Sequence, residues 1–121
     1  MVKIRRMKVS DVDEVAELVA PDHDTDREKG YREAKQHTLD HLEIVPNHCF
    51  VVETADHQII AAMVLHPQDK IFEIEDFHVK RIQKNKQALQ LLKNQLLKYL
   101  ATVQTEVLCC PYALRRLLTT N

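Results

Sequence analysis

The stretch "FHVKRIQKNKQALQLLKNQLLKYL", Phe77 to Leu100, decides the fold. It begins at the end of an apolar strand, crosses a basic turn and becomes a long amphipathic helix. The run that leads into it, "KIFEIEDFHV", alternates with period two, as a strand does when its side chains point to opposite faces. That alternation predicts Ile71, Glu73, Glu75, Phe77 and Val79 on one face, with Phe72, Ile74, Asp76 and His78 on the other. In the helix, Leu89, Leu92, Leu96, Tyr99 or Leu100, and Val103 recur at helical spacing and predict one buried stripe. A strand that turns tightly into a helix aims backbone N–H groups outward, a natural seat for phosphate. Such turns usually carry glycine, but this one carries Lys80, Arg81, Lys84 and Lys86. Cations at a helix N-terminus are unfavourable by roughly 0.3–1 kcal/mol each unless an anion shares the space. The cluster therefore predicts a bound anion or, as the simpler alternative, a solvated basic turn.

The rest of the chain is read outward from there. Upstream, "CFVVET" and "IIAAMVL" flank the polar turn "ADHQ" and predict an antiparallel hairpin. "VKIRRM" reads as a short first strand. Ser10 followed by Asp13 is a capping-box variant, opening a helix with Val12, Val15, Ala16 and Val19 on one face. Pro21 is expected to end that helix. The polar connection "DHDTDREKG" leads to a second helix, Tyr31 to Glu43, burying Tyr31, Ala34, Thr38 and Leu42. Downstream, "EVLCC" reads as a short buried strand, and Pro111 suits the first turn of a last helix, "YALRRLL". The order β-α-α-β-β-β-α-β-α describes one mixed α/β domain over residues 1–121.

Composition narrows the function. With 45% hydrophobic and 29% charged residues, the chain suits a globular domain with its own core. A formal net charge of −1 gives no global attraction to nucleic acid or to a membrane surface. No apolar run approaches the ~20 residues of a membrane helix, and "MVKIRRMKVSD" has no apolar core of the kind a signal peptide needs. The expectation is a cytoplasmic protein without nucleic-acid or membrane partners. Cys49, Cys109 and Cys110 sit in apolar runs and are expected as buried, reduced thiols. The two adjacent cysteines point to opposite faces of a strand and have no basic partner, which favours packing over nucleophilic chemistry. Gly30 is the single glycine, so no glycine-rich loop binds a ligand here.

These segments together resemble the GNAT N-acetyltransferase family. "IRRMKVSDVDEVAELV" is similar to that family's opening strand and helix, and "FVVETADHQIIAAMVL" to its second and third strands. "FEIEDFHV" resembles its fourth strand, which ends at the acetyl-CoA site, and "VKRIQKNKQALQLLKNQLLKYL" resembles the turn and helix that follow. The resemblance implies a GNAT-like mixed sheet with acetyl-CoA as cofactor. It implies cofactor contacts at Phe77, His78 and Val79 and along Gln83, Lys84, Asn85, Lys86, Gln87 and Ala88. Family members hold the pyrophosphate with Q/R-x-x-G-x-G/A. One register sets Lys84, Gln87 and Leu89 on that pattern; sliding by one sets Gln83, Lys86 and Ala88. Neither supplies the first glycine, and a side chain there takes space a phosphate oxygen would use. The family also continues beyond its fifth strand with a tyrosine acid and two more strands. Here Leu117 or Leu118 stands where that tyrosine would lie, Tyr112 is displaced from it, and the C-terminal strands are missing.

The resemblance assigns Glu73 the role of general base for the amine, with Glu75 on the same face as second candidate; the simpler alternative is a polar strand face. The function implied is transfer of acetyl from acetyl-CoA to an unidentified small-molecule or peptide amine. The alternative is a non-catalytic GNAT-fold binding or regulatory module acting through an open sheet edge. That edge, with Leu114, Leu117 and Leu118, further predicts a homodimer. His37 and His41 in "HTLDH" lie one helical turn apart and suit a metal, with Asp22 or His23 as conceivable partners. No third ligand stands at fixed spacing, so the expectation is a surface helix with two histidines and no metal.

Overall fold

The computed structural model describes residues 1–68, 71–81 and 85–101, and the backbone of 107–109. The strands are β1 (Val2–Arg6), β2 (Cys49–Thr54), β3 (Ile59–Gln68), β4 (Ile71–Val79) and β5 (Val107–Cys109). The helices are α1 (Val12–His23), α2 (Arg27–Ile44) and α3 (Asn85–Leu100), with short 3-10 turns at Val9–Asp11 and Pro46–His48. One sheet runs in the order β1-β2-β3-β4-β5. The first four strands pair antiparallel, and β5 lies parallel to β4. A parallel neighbour needs a crossover, and α3 supplies it. The last helix expected from "YALRRLL", with its leucines, lies outside the described residues.

Each face of the sheet carries its own core. On one face Phe50, Val52, Ile60, Met63, Leu65, Phe72 and Ile74 pack against Ala88, Leu92 and Leu96 of α3. On the other, Val51, Ala62 and Val64 meet Val15, Ala16 and Val19 of α1 and Ala34 of α2. The buried stripe of α3 therefore begins at Ala88, fully buried, and not at Leu89, which is only partly covered. A small side chain at that first turn lets the helix start close against the sheet.

The predicted faces of β4 hold only for its first half. Val64 pairs with Asp76 and Leu65 with Ile74, so Glu75 is an extra residue opposite no partner. Such a bulge advances the alternation by one step. Asp76 and His78 consequently join Glu75 on the α1/α2 side, where Asp76 meets His23 and His37 and His78 meets Asp22. Phe77 and Val79 turn to the α3 side and pack on its core.

The helix boundaries also differ from expectation. Pro21 sits inside the last turn of α1, which runs on to His23. Asp26 caps α2 by accepting the Lys29 N–H at 2.9 Å, so that helix begins four residues ahead of Tyr31, at Arg27. Gly30 thereby falls within α2, where a Cβ would lie 2.6 Å from the Ala20 carbonyl oxygen and 3.0 Å from that of Asp24. The two helices approach this closely only because position 30 has no side chain.

At the other end, Asp11 plays the capping role expected of Asp13. Its carboxylate accepts the Lys8 N–H at 2.7 Å and two bonds from Arg5 at 2.8 and 2.9 Å. Arg5 also meets Glu53 at 3.1 Å, tying β1, β2 and the start of α1 together. Burial pushes the Asp11 carboxyl up, but the bonds from Arg5 and Lys8 outweigh it and hold it below the usual range. The hydrogen bond from Arg5 likewise holds Glu53 low.

Gly30→Ala should destabilise the fold by about 1–3 kcal/mol, because the methyl meets backbone and not a flexible side chain; urea unfolding measures it. Because Asp11 and Glu53 titrate lower folded than unfolded, their contribution is complete above an unfolded carboxyl pKa of about 4 and is lost as pH falls further. Arg5→Met should flatten the acid limb of a melting-temperature profile between about pH 5 and 2.

Candidate functional site

Helix α2 presents His37 and His41, one turn apart, to the bulged strand β4. Asp76, buried in the sheet, accepts from His37 Nδ1 at 3.0 Å and lies 3.2 Å from His23 Nε2 at the end of α1. His37 Nε2 lies 3.3 Å from Glu75 Oε2. The second Glu75 oxygen lies 3.5 Å from His66 Nδ1 of β3 and 3.8 Å from His41 Nε2. His41 Nδ1 donates to the His37 carbonyl at 2.8 Å. Glu73, the residue opposite His66 in the ladder, completes the row of carboxyls.

Electrostatics divides these groups. The hydrogen bond to Asp76 raises the pKa of His37 against the opposing effect of burial, and Glu75 adds to the rise. Between the two glutamates, the hydrogen bond with Glu75 raises Glu73. Burial pushes Glu75 up, but its bonds with Glu73 and His37 hold it low. Two carboxyls on one face do not both ionise easily. The pair is thereby split, with Glu73 moved up and Glu75 moved down from the ordinary carboxyl range.

A second feature lies at the far end of β4. β5 pairs with β4 only through residues 71–73, and residues 74–79 run on beyond the described part of β5. The strand then leads through exposed Lys80 and Arg81 toward α3. Gln83 and Lys84 lie outside the described residues. α3 opens at Asn85, with Lys86 and Gln87 exposed and Ala88 fully buried. That burial favours the register that sets Lys86 and Ala88 on the phosphate pattern, since the small position belongs where helix and sheet meet.

Of the residues singled out from sequence, Glu73, Glu75 and His78 share the α1/α2 face of β4 with Asp76, while Phe77 and Val79 share the α3 face. His23, His37 and His41 converge on that first face; Asp22 instead holds His78, at 2.7 Å. His66 escaped the sequence reading, and Asp76 was expected on the opposite face. A signal for the latter existed. After Ile71, the apolar residues of β4 fall at Phe72 and Ile74, then at Phe77 and Val79, a slip of one residue in the alternation. Tyr99 stacks near Phe72 and bonds His48 at the edge of the α3 core. Cys49 is fully buried, and burial pushes its thiol up to about 11, as a packing residue requires. Tyr112, Cys110 and the Cys109 side chain lie outside the described residues. The large cavity between α1 and α2, about 740 Å³ and lined by Ala20, Pro21, Asp24 and Tyr31, shares no residue with the histidine–carboxylate cluster. Among the described residues no helix is long and apolar enough to cross a membrane.

No protein-family model matches this sequence, and no curated protein matches it significantly. Solved structures do match. Glucosamine-6-phosphate N-acetyltransferase from Arabidopsis thaliana aligns with all of this chain (100%) and 92% of its own, at 17% identity and a TM-score of 0.66. A GNAT family acetyltransferase from Brucella melitensis, solved with acetyl-CoA, aligns with 100% of this chain and 83% of its own, at 14% identity and a TM-score of 0.64. A longer protein from Pyrococcus horikoshii aligns over 84% of this chain but only 36% of its own length, at 19% identity and a TM-score of 0.64. At these identities the likeness speaks for the backbone alone. Four antiparallel strands, a parallel fifth reached through α3, and a helical pair covering the opposite face are the GNAT acetyltransferase fold, and this chain has that fold.

Proposed function

We propose that this protein is an acetyl-CoA-dependent N-acetyltransferase acting on an amine, with Glu73 as its general base. The observation that carries the reading is the course of β4. Beyond Glu73 it has no β5 partner among the described residues, and it runs through Lys80 and Arg81 toward α3, with a row of carboxyls where the described pairing ends. An unpaired strand edge offers backbone donors and acceptors to an extended amide-containing arm. A helix N-terminus offers N–H groups to a pyrophosphate. The donor set fits the cofactor in kind. Lys80, Arg81 and Lys86 are exposed cations beside that terminus, and Ala88 is small where the helix meets the sheet.

Acetyl-CoA would supply a thioester as the acetyl donor. The chain's part is to bring an amine to it in neutral form. A carboxylate raised toward neutrality by an ionised neighbour takes a proton from an ammonium group more readily than a solvated one. Glu73 meets that description, with Glu75 as the neighbour that raises it. Glu75 itself is engaged by the histidines of α2 and β3, which favours Glu73 for the proton transfer.

A specific observation favours a second reading, a non-catalytic binding module on the same fold. The start of α3 carries Lys86 and Gln87 where the family pattern calls for glycine, and side chains there crowd a phosphate. Binding separates the two readings. A thermal shift with CoA should raise the melting temperature if the cofactor binds the native state, and Lys86→Ala should shrink that shift. No shift at millimolar CoA would leave the module. With turnover in hand, Glu73→Gln should lower kcat by ~10²-fold or more with KM for acetyl-CoA unchanged. An unaltered kcat would transfer the role to Glu75 or to a water.

A further inference from the structure

The histidine–carboxylate cluster holds more order than a proton acceptor needs. His41 Nδ1 bonds a backbone carbonyl at 2.8 Å, and a carbonyl only accepts, so the hydrogen of that ring stands on Nδ1. His37 Nδ1 bonds the buried carboxylate of Asp76 at 3.0 Å. Both rings are thus fixed through one nitrogen, and both direct Nε2 at the Glu75 carboxylate, at 3.3 and 3.8 Å. This is the support that metal-binding histidines receive, one nitrogen held by a carbonyl or carboxylate and the other presented to the ion. His23 holds Asp76 in turn, at 3.2 Å.

We propose that His37 Nε2, His41 Nε2 and a Glu75 carboxylate oxygen bind one divalent cation of the zinc class, while His66 holds the same carboxylate from β3 at 3.5 Å. The donor atoms of the three ligands all lie within 4.8 Å of one another. Bonds of about 2.0–2.1 Å in a tetrahedron place neighbouring donors about 3.4 Å apart. Glu75 Oε2 lies 3.3 Å from His37 Nε2, while Oε1 lies 3.8 Å from His41 Nε2, so one oxygen serves both imidazoles once the carboxylate turns and the rings close in on the ion. The ligand chemistry selects the ion. Imidazole nitrogens with a single carboxylate suit zinc, cobalt or nickel, whereas magnesium and calcium require mostly oxygen. The backbone provides the convergence: two ligands one turn apart on α2, and one on the bulge of β4.

The site is independent of the acetyl-transfer reading, since its test uses neither cofactor nor amine. The full chain, freed of metal with a chelator, is titrated with ZnCl₂ by calorimetry and with CoCl₂ by absorption. The expected result is one equivalent of zinc, and the intense visible bands of four-coordinate cobalt. His37→Ala and His41→Ala should each weaken zinc binding by at least 100-fold, and Asp76→Asn by about 10–100-fold through the loss of ring orientation. His57→Asn, on the exposed hairpin turn, should leave it unchanged. Circular dichroism verifies that each variant folds, and the wild-type cobalt spectrum decides the matter even where one does not. No zinc heat at about 100 µM metal, weak six-coordinate cobalt bands, or equal affinity in the His41 variant would overturn the site.

Discussion

One extra residue in β4 governs where the chemistry of this molecule lies. Had the strand kept strict alternation, Asp76 would have pointed into the core of Leu92, Leu96 and Phe72, an apolar setting in which a carboxylate costs several kcal/mol. The bulge at Glu75 sends it instead toward α2, where two imidazoles receive it. The same step turns Phe77 and Val79 toward α3, so both halves of the strand bury their apolar residues on one side. A lost ladder bond is a modest disturbance beside a stranded charge. The sequence "FEIEDFHV" is thus satisfied as a strand only with the irregularity included.

The overall architecture was legible because it rests on local periodicity. The hairpin, the amphipathic α3 and the short strand in "EVLCC" follow from short patterns, and the element order through β5 stands as the spacing predicts. The helix ends were less legible. Pro21 and Gly30 read as punctuation, yet Pro21 lies within α1, and Gly30 lies inside α2 as a point of close approach. The cluster divides along the same line. His37 and His41 were visible as a pair, since a helix sets residues four apart on one face. Glu75, their carboxylate partner, lies 38 positions from His37 in sequence, and His66 arrives from a third element. Distances of that kind belong to tertiary packing and leave no mark in spacing. The slip from Ile74 to Phe77 was the one local trace, hidden because a default alternation accounts for nearly every residue.

The helical pair and the sheet depend on each other through small and polar groups. The contact at Gly30 sets the distance between α1 and α2, and so brings His23 and His37 to the same carboxylate. The Arg5 network fixes the start of α1 against β1 and β2. On the opposite face α3 is held by ordinary apolar packing against the sheet.

That contrast gives the two faces different resistance to opening. α2 buries only Gly30, Ala34, Thr38 and His41, so little apolar surface fastens it, whereas α3 buries Leu92 and Leu96 completely. Local unfolding follows the smallest apolar attachment. Amide hydrogens of α2 should accordingly exchange with solvent through a fluctuation of that helix alone, while those of α3 should wait for the sheet itself to come apart. Whatever gathers the histidines onto Glu75 and Asp76 slows the first process and leaves the second untouched, which makes α2 the part of the fold whose order reports the occupancy of its own inner face.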